Sequence, residues 1–524
     1  MQFNLTTVFI ICLIGIIGYL LNKFILKPYR KRAYYQKQGA SVGMTPKFNP
    51  FLGDYKLILE NYQDKGKFIG HYARDLALQE NKSPLYIFQI PNKDILCFRD
   101  VEYLSELNKL IPKYVDREPI DNSGFGKIGS TGGLGQSRST KEWRNRRETL
   151  MKTIGINHAS KFIPLFLDHF QHNFGSIKTN QEINFSQVAN TSVFSFILSL
   201  IFGKNVLDQI GLCNYEQKDG SIKQMKLYDC MMTMSDDMTS ESLQLYNVLF
   251  PELIDYNLAT ENRRNERNNK EIGRILNEFI DQSKETNSVY AQVIRELKNE
   301  PQQQILSDCI SLLIGGHETT FMSFSSAVYC LKKYPETLKK LMQEINTIIT
   351  ENGKIPPEEF IKNFDHKKLD EMEYLSMFIK EVLRLHPSAS RSLGYKALKT
   401  LKINDVMIPK GEIITFDVIG CLVNPEQWKD PLNFIPERFD PSSEYFKTPS
   451  DKNRHPLAYI PFTLGSRTCP GRSLAMLELK VAIVYFLLKF EYQINEADLQ
   501  NPDMTFSIYS PFELHMKITE VKCR

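Results

Sequence analysis

Residues 461–475 read Pro-Phe-Thr-Leu-Gly-Ser-Arg-Thr-Cys-Pro-Gly-Arg-Ser-Leu-Ala. A single cysteine, Cys469, sits in a fixed frame, with Phe462, Gly465 and Arg467 before it and Gly471 after it. A metal-bound cysteine must be a thiolate, and a thiolate needs donors and positive potential. Pro470 lacks an N–H and suits the first turn of a helix. Cys469 therefore precedes a helix N-terminus, where the backbone dipole favours negative charge. Gly465 permits a turn that aims main-chain N–H groups at the sulfur. Gly471 lets a flat group approach, Phe462 can shield the sulfur, and Arg467 offers a fork for a carboxylate. A thiolate presented to a large planar ligand bearing carboxylates is the axial arrangement of haem.

The frame FxxGxRxCxG, Phe462–Gly471, resembles the signature of the cytochrome P450 haem-thiolate monooxygenases. A second constellation lies upstream, in Gly315-Gly316-His317-Glu318-Thr319-Thr320. Two adjacent glycines inside a helix cost about 1 kcal/mol each. They let a ligand press on the helix and let the helix bulge open. The block resembles the family's [A/G]Gx[D/E]T[T/S] motif. By that resemblance Thr319 bonds bound dioxygen and Glu318 relays protons. Thr and Glu are common in any helix, so the motif takes its weight from Cys469. His317 is followed by no HExxH spacing and receives no metal role.

Glu381 and Arg384 lie three apart, on one helix face. They resemble the family's ExxR, and Pro431–Phe439 resembles PxxFxPERF. The resemblance joins Arg438 to Glu381 and Arg384 in a buried network with a folding role. Trp143 and Arg147, at i and i+4, resemble WxxxR. One helix face can then offer an indole N–H and a guanidinium to the haem propionates. Lys141, Arg144 and Arg146 on the other faces, with Arg472 and Lys480, form either a docking patch for an acidic electron donor or an ordinary solvated face.

The chain has 524 residues, 42% hydrophobic, with 65 basic against 61 acidic side chains and a net charge of +4. Nothing in that balance calls for a nucleic-acid partner. Nine dispersed cysteines without a CxxC fit a reducing compartment. Residues 5–21 carry no charge and are followed by Lys23, Lys27, Arg30, Lys31 and Arg32. The pattern predicts a membrane anchor over 1–26 with the remainder cytosolic. The preceding Met-Gln-Phe-Asn lacks the positive charge of a signal peptide. A basic, polar linker over 27–45 and a catalytic domain over 46–524 follow.

The remaining pattern is mainly α with small β-sheets, an α+β class. Expected elements are a hairpin over 85–98, a glycine-rich loop over 119–138, long helices over 302–333, 368–386 and 471–489, and two strands around Ile403 and Ile413–Phe416. Gly124–Gly129 matches GxGxxG, but it has neither the preceding strand nor the following helix of a nucleotide site. Residues 211–229 read as an extra polar surface loop.

The resemblance covers the chain from about Pro46 onward, with its motifs in order, and implies haem held between the acid-alcohol helix and the cysteine loop with the last long helix. It further implies an endoplasmic-reticulum enzyme using NADPH through a flavoprotein reductase, with cytochrome b5 as a further donor. Ser388-Ala389-Ser390 replaces the usual proline-rich turn, Asn424-Pro425 stands where His-Arg-Asp-Pro is common, and Arg391 follows ExxR too soon to receive a propionate role. Two other readings remain. A haem-thiolate isomerase or dehydratase of lipid hydroperoxides would typically lack Glu318-Thr319. A haem protein that only binds gas would need no proton relay. By the same resemblance, specificity is expected from the 115–137 loop, parts of 190–260, the helix before Gly315, residues 388–394 and the turn Ile508–Phe512. Their apolar content fits a fatty acid, sterol or xenobiotic.

Overall fold

The computed structural model describes residues 5–42, 49, 51–56, 74–75, 77–78, 83–90, 93–117, 133–203, 212–242, 244–250, 256, 259–283, 287–500, 506–507, 510–511 and 513–522. Helix α1 (Leu5–Leu21) exposes apolar side chains, Val8 through Leu21 among them. Asn22–Leu26 continue it as a π-turn into α2 (Lys27–Gln36). Pro28 removes a donor from this ladder, which accounts for the local change of bonding.

The linker expected over 27–45 is therefore not a free one. Tyr35 is fully buried, and Arg32 Nη1 donates to Gln89 Oε1 at 3.1 Å. Lys31 pairs with Glu412, and Tyr34 Oη donates to the Met407 carbonyl at 3.2 Å. Residues read as a basic flank are anchored by acceptors far along the chain, which composition does not reveal.

Strands β1 (Ser41–Val42), β2 (Leu85–Ile90) and β3 (Lys93–Phe98) come next, followed by α3 (Val101–Leu110), which Asp100 caps. The β2–β3 hairpin pairs Leu85 with Phe98. Its turn residues, 91 and 92, lie outside the described residues. After β4 (Val115–Arg117), residues 118–132, including Gly124–Gly129, also lie outside them. Helices α4 (Lys141–Ile154), α5 (Ile163–Phe174) and α6 (Phe185–Phe202) follow, with β5 (Glu182–Asn184) before α6. Thr140 Oγ1 caps α4 by accepting from Trp143 N at 3.2 Å. Asn184 caps α6 in the same way.

The stretch read as a surface loop over 211–229 is a hairpin, β6 (Cys213–Glu216) with β7 (Ile222–Met225). It packs beside α7 (Leu227–Ser242) and α8 (Thr260–Ser283). Glu216 forms a bidentate pair with Arg267, at 2.5 and 2.7 Å, and its backbone exchanges two bonds with the Asn268 amide. Tyr215 Oη donates to Asp237 Oδ2 at 2.9 Å, and Arg264 bridges Asp237 and Glu241. The polar residues that suggested a loop are the clasp between two helices.

Helix α9 (Gln302–Lys333) runs unbroken through its glycine pair, so no bulge opens there. It is apolar on nearly every side and correspondingly buried. Helix α10 (Glu373–Leu385) is followed by β8 (Tyr395–Ala397), β9 (Leu401–Ile403), β10 (Val406–Ile408) and β11 (Ile413–Phe416). The strand at Ile403 pairs with β10 through a turn at Asn404, φ 48°, rather than leading directly to Ile413. Helix α11 (Arg472–Lys489) precedes β12 (Phe490–Ile494), β13 (Phe506–Ser507), β14 (Ser510–Pro511) and β15 (His515–Val521).

The largest sheet has the order β1-β2-β3-β11-β8-β4, and a three-stranded sheet has β12-β15-β5. Two cores result. The larger joins α4, α5, α6, α9, α10 and α11, and the smaller lies under the six-stranded sheet. The fold is the helix-dominated α+β class expected.

Candidate functional site

The cysteine loop lies immediately before α11. Gly465 has φ +63°, and a Cβ there would stand 2.2 Å from Asn108 Oδ1 of α3. The backbone therefore favours glycine, and any side chain would also have to displace the Asn108 amide. Cys469 N donates to the Phe462 carbonyl at 2.9 Å, closing the loop, and Thr468 Oγ1 donates to the same carbonyl at 3.1 Å. The backbone N–H groups of Gly471 and Arg472 favour a negative sulfur on Cys469. Burial pushes its thiol up, while those N–H groups and the Arg147 charge pull the other way. A bound metal ion displaces such a proton outright. A methyl on Gly471 would lie 3.9 Å from the sulfur.

The acid-alcohol turn is built on α9, which packs against both α6 and α11. The two glycines do different jobs. A Cβ on Gly315 would meet nothing within 4 Å, whereas one on Gly316 would stand 3.4 Å from Ile197 Cδ1. Gly315 thus leaves an open face, and Ile197 of α6 packs beside Gly316. Thr319 Oγ1 donates back to the Gly315 carbonyl at 2.7 Å. Burial raises the Glu318 carboxyl to about 7, and Asp236 on α7 adds to the shift. The acid therefore exchanges its proton near neutrality.

Three guanidinium groups gather beside this loop. Arg147 Nη2 donates to the Thr468 carbonyl, and the Cys469 and Arg117 charges both act on it. Arg467 donates to Ser139 Oγ at 3.1 Å and to the Ser137 carbonyl at 2.9 Å. Its guanidinium also stacks 4.0 Å over Trp143. Burial, then repulsion from Arg117, brings Arg467 down to about 9. Arg467 thus reaches the 134–139 segment, and the Trp143 indole N–H donates to the Leu134 carbonyl at 3.0 Å. Backbone carbonyls compete for these donors, and motif spacing cannot show them.

Arg117 carried no motif and was missed. Burial lowers it, Nη1 donates to the Leu393 carbonyl at 3.0 Å, and buried Nε has no hydrogen-bond partner among the described residues. Its short strand before a glycine-rich stretch was the one available signal. Mutually repelling guanidinium groups with a spare buried N–H fit a ligand bearing two carboxylates. Together with the sulfur and the open face at Gly315, the residues fit haem.

Glu381, Arg384 and Arg438 are each 0% exposed. Arg384 grips Glu381 through Nε at 2.8 Å and Nη2 at 2.9 Å, and Arg438 Nε donates to Glu381 Oε1 at 3.2 Å. Arg384 Nη1 serves the Leu422 and Pro431 carbonyls. Such saturation is what a buried ion network requires. The basic patch is smaller than expected. Arg146 is buried against Asp308 at 2.8 Å, and Lys480 Nζ donates to the Leu369 carbonyl at 3.0 Å. Lys141, Arg144 and Arg472 remain exposed.

The family model described as Cytochrome P450 matches residues 63–516. Cytochrome P450 3A25 of Mus musculus is 25% identical over 463 residues, 85% of this chain and 83% of its own length. Cytochrome P450 3A41 of Mus musculus is 23% identical over 487 residues, covering 88% and 87% respectively. Cytochrome P450 4F12 of Homo sapiens is 31% identical over 219 residues, 41% of this chain and 39% of its own.

Proposed function

The chain belongs to the cytochrome P450 family, a haem-thiolate monooxygenase, and from that premise we propose an enzyme that inserts one oxygen atom of O2 into a lipophilic small molecule. The net reaction takes R–H, O2, two electrons and two protons to R–OH and water. The observation that carries the assignment of Cys469 as axial ligand is its half-buried position just before α11, with the Gly471 and Arg472 N–H groups and the Arg147 charge favouring its thiolate.

Haem, when bound, supplies dioxygen binding and activation. Arg117 and Arg147, with Arg467 behind them, would hold its carboxylates, and Gly315 leaves room against α9. Thr319 would present its hydroxyl to the oxygen site by releasing the Gly315 carbonyl. Glu318, near neutral in its pKa, would pass protons inward. This acid-alcohol pair favours a monooxygenase over an isomerase of lipid hydroperoxides and over a gas-binding protein. The Glu381–Arg384–Arg438 network would fix the polypeptide around the cysteine loop.

Electrons would come from NADPH through a flavoprotein reductase, with cytochrome b5 as a further donor. Exposed Lys141, Arg144 and Arg472 support an acidic partner. The exposed apolar surface of α1 supports an anchor over 1–26, and endoplasmic reticulum is the proposed membrane. A fatty acid, sterol or xenobiotic substrate is proposed from the apolar content of the expected specificity segments. Residues 508, 509 and 512 of the expected specificity turn lie outside the described residues.

The test is the carbon monoxide difference spectrum of reduced protein, wild type against Cys469→Ser. A thiolate-type band lost in the variant supports the assignment. A well-folded, haem-supplied wild type without that band overturns it.

A further inference from the structure

The turn carrying Glu318 and Thr319 should be the softest part of α9. Two glycines precede it, and the Thr319 hydroxyl back-bonds to Gly315, an interaction that bends helices. The turn nevertheless stays helical.

Side-chain bonds reach it from two directions. From α6, Asn190 Oδ1 lies 2.5 Å from His317 Nε2, both groups buried. An amide oxygen only accepts, so Nε2 carries the hydrogen, and burial keeps the ring neutral by pushing its pKa down to about 3. Phe194 meets the ring edge-to-face at 5.2 Å, as Tyr228 of α7 does at 6.2 Å. Asn190, Phe194 and Ile197 follow helical spacing, so one face of α6 supplies the bond, the ring contact and the contact with Gly316.

From the other side, Ser388 Oγ donates to the Thr319 carbonyl at 2.8 Å. Ser323 Oγ donates to the same carbonyl at 2.8 Å and lies 2.7 Å from Ser388 Oγ. Ser388 is the first residue of the segment that departs from the family's proline-rich turn. Proline there would supply no hydroxyl.

We propose that Asn190 and Ser388 are positioning residues that clamp residues 317–319 of α9 from opposite sides, so that Glu318 and Thr319 keep their facing toward the haem pocket. Neither touches the reacting atoms. The proposal rests on the monooxygenase reading above and adds two residues that no motif marks.

The test uses haem-loaded full-length chain, wild type against Asn190→Leu, Ser388→Ala and Ser388→Thr. Amide hydrogen exchange is followed across 313–323, and hydrogen peroxide released per NADPH consumed is measured with a flavoprotein reductase. Losing one buried hydrogen bond predicts roughly tenfold faster exchange in 313–323 for Asn190→Leu and Ser388→Ala. Exchange elsewhere in the chain should be unchanged, and peroxide leakage should increase. Ser388→Thr retains the hydroxyl and should behave as wild type.

Unchanged exchange and leakage in both disruptive variants overturns the clamp. So does Ser388→Thr matching Ser388→Ala, or a rise in exchange spread evenly over the chain. The carbon monoxide band of the same preparations separates the two failures. Its absence from wild type rejects the haem-thiolate reading, whereas an intact band with unaltered exchange rejects only the clamp.

Discussion

Glu318 shows at a single residue how function and stability oppose one another. Its folded pKa lies near 7, above the ordinary 4.5, because burial penalises the charged form. The folded chain therefore holds this proton more tightly than the unfolded chain does. The associated stability is complete below pH 4.5 and is lost as pH rises through about 7. Glu318→Gln should leave the unfolding midpoint unchanged near pH 4.5 and raise stability at pH 8, by about 3 kcal/mol at most. Thermal unfolding at the two pH values reads this. The same variant should lower oxygen-insertion turnover about a hundredfold and flatten its pH dependence between 5 and 8. A variant with wild-type turnover would remove Glu318 from proton delivery. Gly465→Ala is the steric counterpart. With φ at +63° and Asn108 in the way, it should cost about 1–3 kcal/mol and reduce haem incorporation, read by the Soret-to-protein absorbance ratio.

Among the elements, α10 and the Pro436–Phe439 turn are joined by charge that solvent never reaches. Removing one member of a buried network leaves an unpaired ion, so Arg384→Ala should destabilise by about 3–5 kcal/mol in chemical unfolding. Arg274 and Glu278, an exposed pair on α8, should cost at most about 1 kcal/mol when broken. Equal losses would mean that burial is not what gives the network its strength. The network was legible in the sequence because spacing places Glu381 and Arg384 on one face, and α9 was legible because its apolar residues recur over a long stretch without a helix breaker. Arg117, the commitment of Trp143 to Leu134, and the Asn190–His317 bond were not. Each depends on a partner brought close only by tertiary folding, and local periodicity carries no record of it. The β6–β7 hairpin was misread for a related reason. Its Tyr215 and Glu216 reach α7 and α8, while most of its other polar side chains face water.

For the whole molecule, α2 moves the practical boundary of the globular part toward the N-terminus. Deleting residues 1–26 should abolish flotation with liposomes while leaving the unfolding midpoint close to that of the full chain. Deleting residues 1–45 should lower the midpoint as well, because Tyr35 and the Arg32–Gln89 bond go with it. Equal midpoints for the two truncations would make α2 dispensable. The hairpin clasp has a consequence of its own. Tyr228, at the start of α7, rests against His317, and α7 is fastened through Tyr215, Asp237 and Arg264 to α8. Moving α7 away from His317 would therefore have to carry α8 along or break the Arg264–Asp237 pair that ties the two helices together.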